Sequence, residues 1–424
     1  MGKQTWATLA LVLLLCSNSR PWAAPVDTPA TTQLKQAVAK ELASAADAAD
    51  DNGLKATAIA LYDEALKLTP DDKKLTKSRG KISGEDTDDA ASLDKYHKKA
   101  DKTLRKAAAG YRSLWHELMT DKDQATVDAW LERACALDAE GTDAWIEVEY
   151  KTLAKDKPNT LRLLQIAEAH PLADANPKLV KARAAALRQA EADVSCKSPI
   201  RRKCREHTMQ YYLSLPAGWA PDKKYPVYVA CEGAGCNFEG ACRGGMGSNN
   251  AKFIVLTPIG FTNTNALAGV RAKYPYPDSV LEEFDPQRMS FDEPGLLAAI
   301  KDVQDLYGGQ EKVCITGFSG GGNLCWRMVF GHPDLLVAAV PSCANFASPG
   351  KISDNAEAKK NLVIRAFQGD KDEYIEMLNG QWDNAKAQLE ANGYANFSRE
   401  MVPGVGHAGF HDKARDVFTK ALEK

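Results

Sequence analysis

Apolar side chains recur every three or four positions from residue 28 to residue 193, in a stretch rich in Ala, Leu, Lys, Glu and Asp. That spacing predicts helix throughout this half. Past residue 195 the pattern changes: alanine thins out, while cysteine, proline, glycine and aromatic residues rise. Residues 209–215 alternate as a first strand, and short apolar runs over 226–230 and 253–257 predict buried strands. A helix is predicted over 296–307, a strand over 313–316 and a helix over 323–330, the last with Leu324, Cys325, Met328 and Val329 on one face. Strands follow over 336–341, 362–367 and 397–402, with a helix over 382–389 and a closing helix after Phe410. Strands alternating with helices imply a mainly parallel sheet covered on both faces.

The 424 residues therefore divide into an all-helical domain over 25–194 and an α/β domain over 205–424. Residues 1–24 belong to neither. Lys3 supplies a positive end, residues 7–15 are apolar, and Ala23 and Ala24 offer small residues for cleavage, the pattern of a secretory signal peptide. The run is too short to span a bilayer comfortably. Cys16 follows three leucines and faintly suggests a lipoprotein site, against which stands the bulk of the residue before it. Export is the expectation, periplasmic or extracellular, with no membrane span once the signal is removed.

Export changes how the ten cysteines are read. Eight of the nine beyond Cys16 fall after residue 190, and in an oxidising compartment local pairs such as Cys196 with Cys204, or Cys236 with Cys242, are the easiest disulfides to close. Cys314 and Cys325 read as small buried hydrophobes. No pair has C-x-x-C spacing, so no metal site is expected. A formal net charge of −2 gives no basic excess for phosphate binding, which argues against nucleic acid as a partner.

Within the helical half, Ala58, Tyr62, Ala65 and Pro70 stand where small residues would let two helices touch and a proline would end the second. This resembles the second helix of a tetratricopeptide repeat, and a poorer copy runs from Ala125 through Trp130, Leu131, Ala134 and Leu137, with Ala139 where the proline belongs. The resemblance implies a domain that holds a protein partner or places the other half; an unrelated alanine-rich bundle is the alternative. Residues 81–94, acidic and carrying Gly84, read as an exposed linker.

The candidate chemistry centres on Gly317-Phe318-Ser319-Gly320-Gly321, a G-x-S-x-G set between a predicted strand and a predicted helix. A nucleophile elbow needs a strained serine on a sharp strand-to-helix turn, with small neighbours so that strand and helix can close. Serine alone is a poor nucleophile, so a base and an orienting acid must reach it. The loop after the 362–367 strand carries Asp370, Asp372 and Glu373, and the loop after the 397–402 strand carries His407 between glycine and alanine. Both open on the sheet edge where parallel strands place ligands. His411 lies one helical turn beyond His407 and, with no third ligand, reads as a surface or helix-start histidine.

With the elbow, the Gly369-x-x-Asp372 acid loop and the Val405-Gly406-His407 base loop in that chain order, residues 205–424 resemble an α/β-hydrolase, and more narrowly the esterases of the polyhydroxybutyrate depolymerase and feruloyl esterase group. The resemblance implies Ser319 as nucleophile, His407 as general base and Asp372, in preference to Asp370, as orienting acid. It implies an oxyanion hole from the backbone N–H groups of Ala234 and Gly320. The chain departs from that group in two places: Glu232 replaces the usual histidine of the oxyanion loop, and Gln368 the histidine that often precedes the acid-loop glycine. Glu232 either puts a carboxylate beside the developing negative charge or turns away and braces its loop. Residues 260–288, with Asn263, Asn265, Tyr274 and Tyr276 among prolines, are expected to form a lid or substrate wall, the tyrosines either stacking on a ring or pinning the loop. The expected activity is cleavage of a small or polymeric carboxylic ester through an acyl-enzyme, without cofactor or metal. A serine peptidase of the same fold and a catalytically weak scaffold acting through its helical domain are the alternatives.

Overall fold

The computed structural model describes residues 28–121, 123–170, 177–248, 252–265 and 267–423. The signal-like segment and Cys16 lie outside the described residues. Among the described residues no helix is long and apolar enough to cross a membrane. The chain divides into two compact units, Met1–Leu187 and Arg188–Lys424.

The first unit is helical: α1 (Pro29–Asp51), α2 (Lys55–Leu68), α3 (Lys73–Arg79), α4 (Ala90–Leu118), α5 (Gln124–Leu137), α6 (Ala139–Thr152) and α7 (Lys157–Ala169), followed by α8 (Pro177–Ser195), which runs across the division. Aspartates start most of them. The side chains of Asp72, Asp89, Asp123, Asp138 and Asp156 each accept a first-turn backbone N–H, satisfying donors that a helix start leaves without partners. Alanines at 45, 46, 49, 58 and 65 are wholly buried, and their small size lets α1 close on α2. Tyr111, Trp115 and Trp130 fill the same core. At Asp138 one residue both ends α5 and caps α6, so the turn there needs no proline.

The linker expectation holds only in part. Residues 83–89 are exposed, but Asp86 bridges Leu54 and accepts from the Thr57 N–H at 3.0 Å and its hydroxyl at 2.7 Å. From Ala90 the chain is already α4, because Asp89 caps it.

The second unit holds an eight-stranded sheet: β1 (Ile200–Lys203), β2 (Gln210–Ser214), β3 (Tyr225–Cys231), β4 (Ile254–Pro258), β5 (Gly309–Phe318), β6 (Leu336–Ser342), β7 (Val363–Gly369) and β8 (Phe397–Val402). The spatial order is β1-β2-β4-β3-β5-β6-β7-β8, antiparallel at β1–β2 and β2–β4 and parallel elsewhere. This is the α/β-hydrolase fold, preceded by a helical region. The helices that matter for the site are α9 (Phe238–Met246), α10 (Arg288–Tyr307), α11 (Gly322–Gly331), α12 (Ile375–Ala391) and α13 (His411–Leu422). Central strands are buried on both faces, which is why β4 and the middle of β5 read as unbroken apolar runs. Tyr228, Val255, Cys314, Val340 and Phe367 pack on Phe418 of α13 and Cys242 of α9.

The disulfide expectation is corrected. All nine described cysteines are free thiols. In each candidate pair the sulfurs face different neighbours: Cys196 Sγ lies 3.5 Å from Asp193 O and Cys204 Sγ 3.8 Å from Gly295 O, while Cys236 Sγ lies 3.4 Å from Tyr274 Oη and Cys242 Sγ 3.9 Å from Val255 O.

Candidate active site

The elbow sits at the C-terminal end of β5, the central strand. Ser319 has φ of +50°, left-handed backbone that a β-substituted residue rarely adopts and that marks stored strain. Its neighbours explain how the turn closes. A β-carbon on Gly317 would lie 2.5 Å from Cys325 Cβ, and one on Gly321 2.4 Å from the Cys231 carbonyl. Only glycine at both positions lets α11 start that close to the sheet.

His407 and Asp372 arrive from the loops after β8 and β7. The His407 Nδ1 to Asp372 Oδ2 distance is 2.8 Å, and Asp372 is 3% exposed. The same carboxylate accepts from Gln368 Nε2 at 2.7 Å and from the Tyr374 N–H at 2.8 Å, with the Cys343 thiol also against it. Burial alone would raise its pKa, but the donors from His407, Tyr374, Cys343 and Gln368 outweigh that and hold it below the usual carboxylate range. Asp370 does something else: it is exposed and accepts the Gly404 N–H at 2.7 Å, tying the two loops together. The geometry thus pairs His407 with Asp372 and not with Asp370.

The imidazole of His407 lies between two rings, Phe318 at 4.8 Å and Tyr374 at 5.0 Å between centroids. Through Phe318 the His407 loop meets the turn at Ser319. Ser319 Oγ makes no hydrogen bond to His407 among the described residues; contacts of this kind commonly tighten only when substrate binds. Tyr374 is half exposed beside His407.

The loop after β3 crosses the elbow, with Gly233 so close that a β-carbon there would lie 2.9 Å from Ser319 Cβ. Glu232, half-buried, has its carboxyl pushed up to about 7 by burial, against the pull of the Asn237 and Gly233 N–H groups and of Lys273. Both of those N–H groups belong to its own loop, as bracing of the loop requires. Gln368, the other departure, is buried and takes a direct place on the acid as a hydrogen-bond donor.

Residues 260–288 are not an open wall of stacking rings. Tyr274 and Tyr276 are 5% and 6% exposed; Tyr276 donates to the Ile259 carbonyl at 2.6 Å and Tyr274 to Asn263 Oδ1 at 2.8 Å. Both pin the loop, their buried hydroxyls being hydrogen-bonded to it, as buried phenols usually are. His411 starts α13 as expected but is not a surface residue. Its Nδ1 lies 2.9 Å from Tyr228 Oη, and burial, with Arg415 nearby, lowers its pKa to about 4. Sequence reasoning missed Cys343 as a neighbour of Asp372. It has φ of +42°, and its sulfur lies with Asp372 and His407 in a set whose donor atoms fall within 4.8 Å of one another. His407 and Cys343 each hydrogen-bond to the Asp372 carboxylate.

No family model matches the chain, and no curated protein matches it. Solved structures do. A thermostable esterase is 21% identical over 53% of this chain, with a TM-score of 0.37, and the match spans 62% of that esterase, under two thirds of its length. A putative dienelactone hydrolase from Klebsiella pneumoniae is 17% identical over 54% of this chain and 98% of its own, with a TM-score of 0.35. An esterase of the Planctomycetes species Thermogutta terrifontis, with butyrate bound, is 13% identical over 54% of this chain and 94% of its own, with a TM-score of 0.36. At these values the likeness carries no argument about activity.

Proposed function

We propose that the chain is an exported serine hydrolase that cleaves carboxylic esters through an acyl-enzyme on Ser319. The observation that carries this reading is the hydrogen bond between His407 and the buried Asp372 at the same sheet edge as a serine held at positive φ. In the proposed reaction His407 Nε2 removes the Ser319 proton as Oγ attacks the ester carbonyl, and Asp372 holds the imidazole tautomer and stabilises its charged form. The tetrahedral oxygen takes hydrogen bonds from the Ala234 and Gly320 N–H groups. Gly320 lies in the first turn of a helical segment, where N–H groups have no intrahelical acceptor. His407 then returns the proton to the departing alcohol, and water releases the acid by the same steps.

The narrower likeness to polyhydroxybutyrate depolymerases and feruloyl esterases belongs to the proposal and rests on the motif residues alone. So does the tetratricopeptide-like reading of the helical unit, which gives that unit the task of holding a protein partner. The decisive test replaces Ser319 by Ala. Turnover of a small chromogenic ester falls by roughly 10⁴-fold or more, as nucleophile removal does elsewhere, and labelling by a fluorophosphonate disappears. Unchanged turnover refutes the assignment. Equal rates on peptide amides would favour the peptidase alternative.

A further inference from the structure

Asn263 stands in the loop that leaves β4, 5% exposed. Its Nδ2 donates to the Gly233 carbonyl at 2.9 Å and lies 3.5 Å from Cys236 Sγ, and its Oδ1 accepts from the Tyr274 hydroxyl at 2.8 Å. Its main-chain carbonyl sits over the elbow, since a β-carbon on Gly320 would lie 2.0 Å from that oxygen. One residue therefore touches both Gly320 and the residue before Ala234. Its own loop is held from behind by Asp292 of α10, which is wholly buried and accepts from the Phe261 N–H at 2.7 Å, the Thr262 N–H at 2.7 Å and the Thr262 hydroxyl at 2.6 Å.

A trans peptide points its N–H opposite to its C=O. The peptide bonds among the described residues are all trans. Drawing the Gly233 carbonyl back onto Asn263 Nδ2, and onto the Cys236 N–H at 3.1 Å, therefore turns the Ala234 N–H the other way. Gly233 itself lies against Ser319. We propose that Asn263 is the positioning residue of the oxyanion hole: it pins the 233–234 peptide with its amide and seats Gly320 with its carbonyl, aiming both N–H groups at one point above Ser319. The proposal rests on the esterase reading. It also gives a task to a buried asparagine whose amide nitrogen and oxygen are both paired, as burial of a polar side chain requires.

Asn263→Leu removes all three side-chain polar contacts at similar volume. The kcat on a p-nitrophenyl ester falls about 100-fold, the loss expected for one misdirected oxyanion donor, with KM changed by less than about threefold. A second readout separates aiming from mere stability. A thionoester presents sulfur where the ester presents oxygen and gains less from the hole, so the ester-to-thionoester rate ratio drops in the variant. Wild-type kcat, or a slower variant with an unchanged ratio, overturns the proposal. Should the leucine variant fail to fold, Tyr274→Phe frees Asn263 from its orienting hydroxyl and lowers kcat about fivefold, the worth of one hydrogen bond, with the same drop in ratio; unchanged constants there overturn it equally. Fluorophosphonate labelling of the wild-type Ser319 is the control. Unlabelled wild-type protein sinks the esterase reading and this inference together, whereas labelled wild type with indifferent variants sinks this inference alone.

Discussion

Replacing Glu232 by Gln tests the electrostatics of the loop after β3 directly. Burial raises this carboxyl from 4.5 to about 7 in the folded chain. The folded state therefore holds the proton more tightly than the unfolded one. With the folded pKa above the unfolded value, the protein binds more protons when native between about pH 4.5 and 7, so stability falls as pH rises through that window. The shift corresponds to at most about 3 kcal/mol, fully lost once pH exceeds the folded pKa. Gln keeps an acceptor for the loop N–H groups and has no proton to lose.

The two proteins should thus melt together near pH 4.5 and diverge above it, the variant reaching a Tm higher by about 5–10 °C at pH 8.5 for a unit of this size. Asp292, also raised by burial, to about 6, contributes the same slope to both proteins and cancels in the difference. Differential scanning calorimetry from pH 4.5 to 9 measures it. A difference in Tm that does not grow with pH, or a variant less stable at pH 8.5, refutes the reasoning. The same substitution should keep kcat higher above pH 7, because it removes a carboxylate from the loop that carries Ala234.

Asp372→Asn keeps an oxygen for the Tyr374 N–H but puts an N–H where both His407 and Gln368 need an acceptor, and kcat on the same ester should fall by about 10⁴-fold. Asp370→Asn, which disturbs only the Gly404 contact, should stay within about twofold by the same assay, since a neutral amide still accepts that hydrogen bond. Thermal melts with and without reductant should coincide, because the described cysteines are free thiols. A structural disulfide would instead be worth about 2–5 kcal/mol and would shift the transition.

How much of this was legible from the residues follows from how local each cause is. The elbow could be read because strand, turn and helix are consecutive and each has its own signature in composition. Strand β1 was missed because its pattern is Ile-Arg-Arg-Lys: the inward position beside Ile200 is Arg202, buried and 3.1 Å from Glu191, an acid at the far side of a turn. A charged side chain pointing inward breaks the alternation that announces a strand. Helix α9 was missed because Gly240, Gly244 and Gly245 lower its helix propensity, and burial against β3 and β4 outweighs them. Helix α10 begins eight residues before the predicted start at 296, since Asp292 and Pro294 look like loop residues in isolation.

Asp292 shows why the layer behind the reacting groups escapes a linear reading. A carboxylate followed by Glu and Pro has every local mark of a solvated turn, yet it is wholly buried because three donors from the next loop converge on it. Those donors are backbone N–H groups and one threonine hydroxyl, which carry no residue-type signature. The same holds at Asn263, whose partners are a glycine carbonyl and a tyrosine hydroxyl. Side chains that do chemistry must be of particular types, so spacing betrays them. Side chains that aim main-chain donors need only one amide or carboxyl at the right point in space, and that point is defined by the sheet order rather than by any neighbour along the chain. The precision of an oxyanion hole is accordingly a property of tertiary structure, and a variant that keeps Ser319, Asp372 and His407 but loses the Asn263 amide should retain its motif and lose most of its rate.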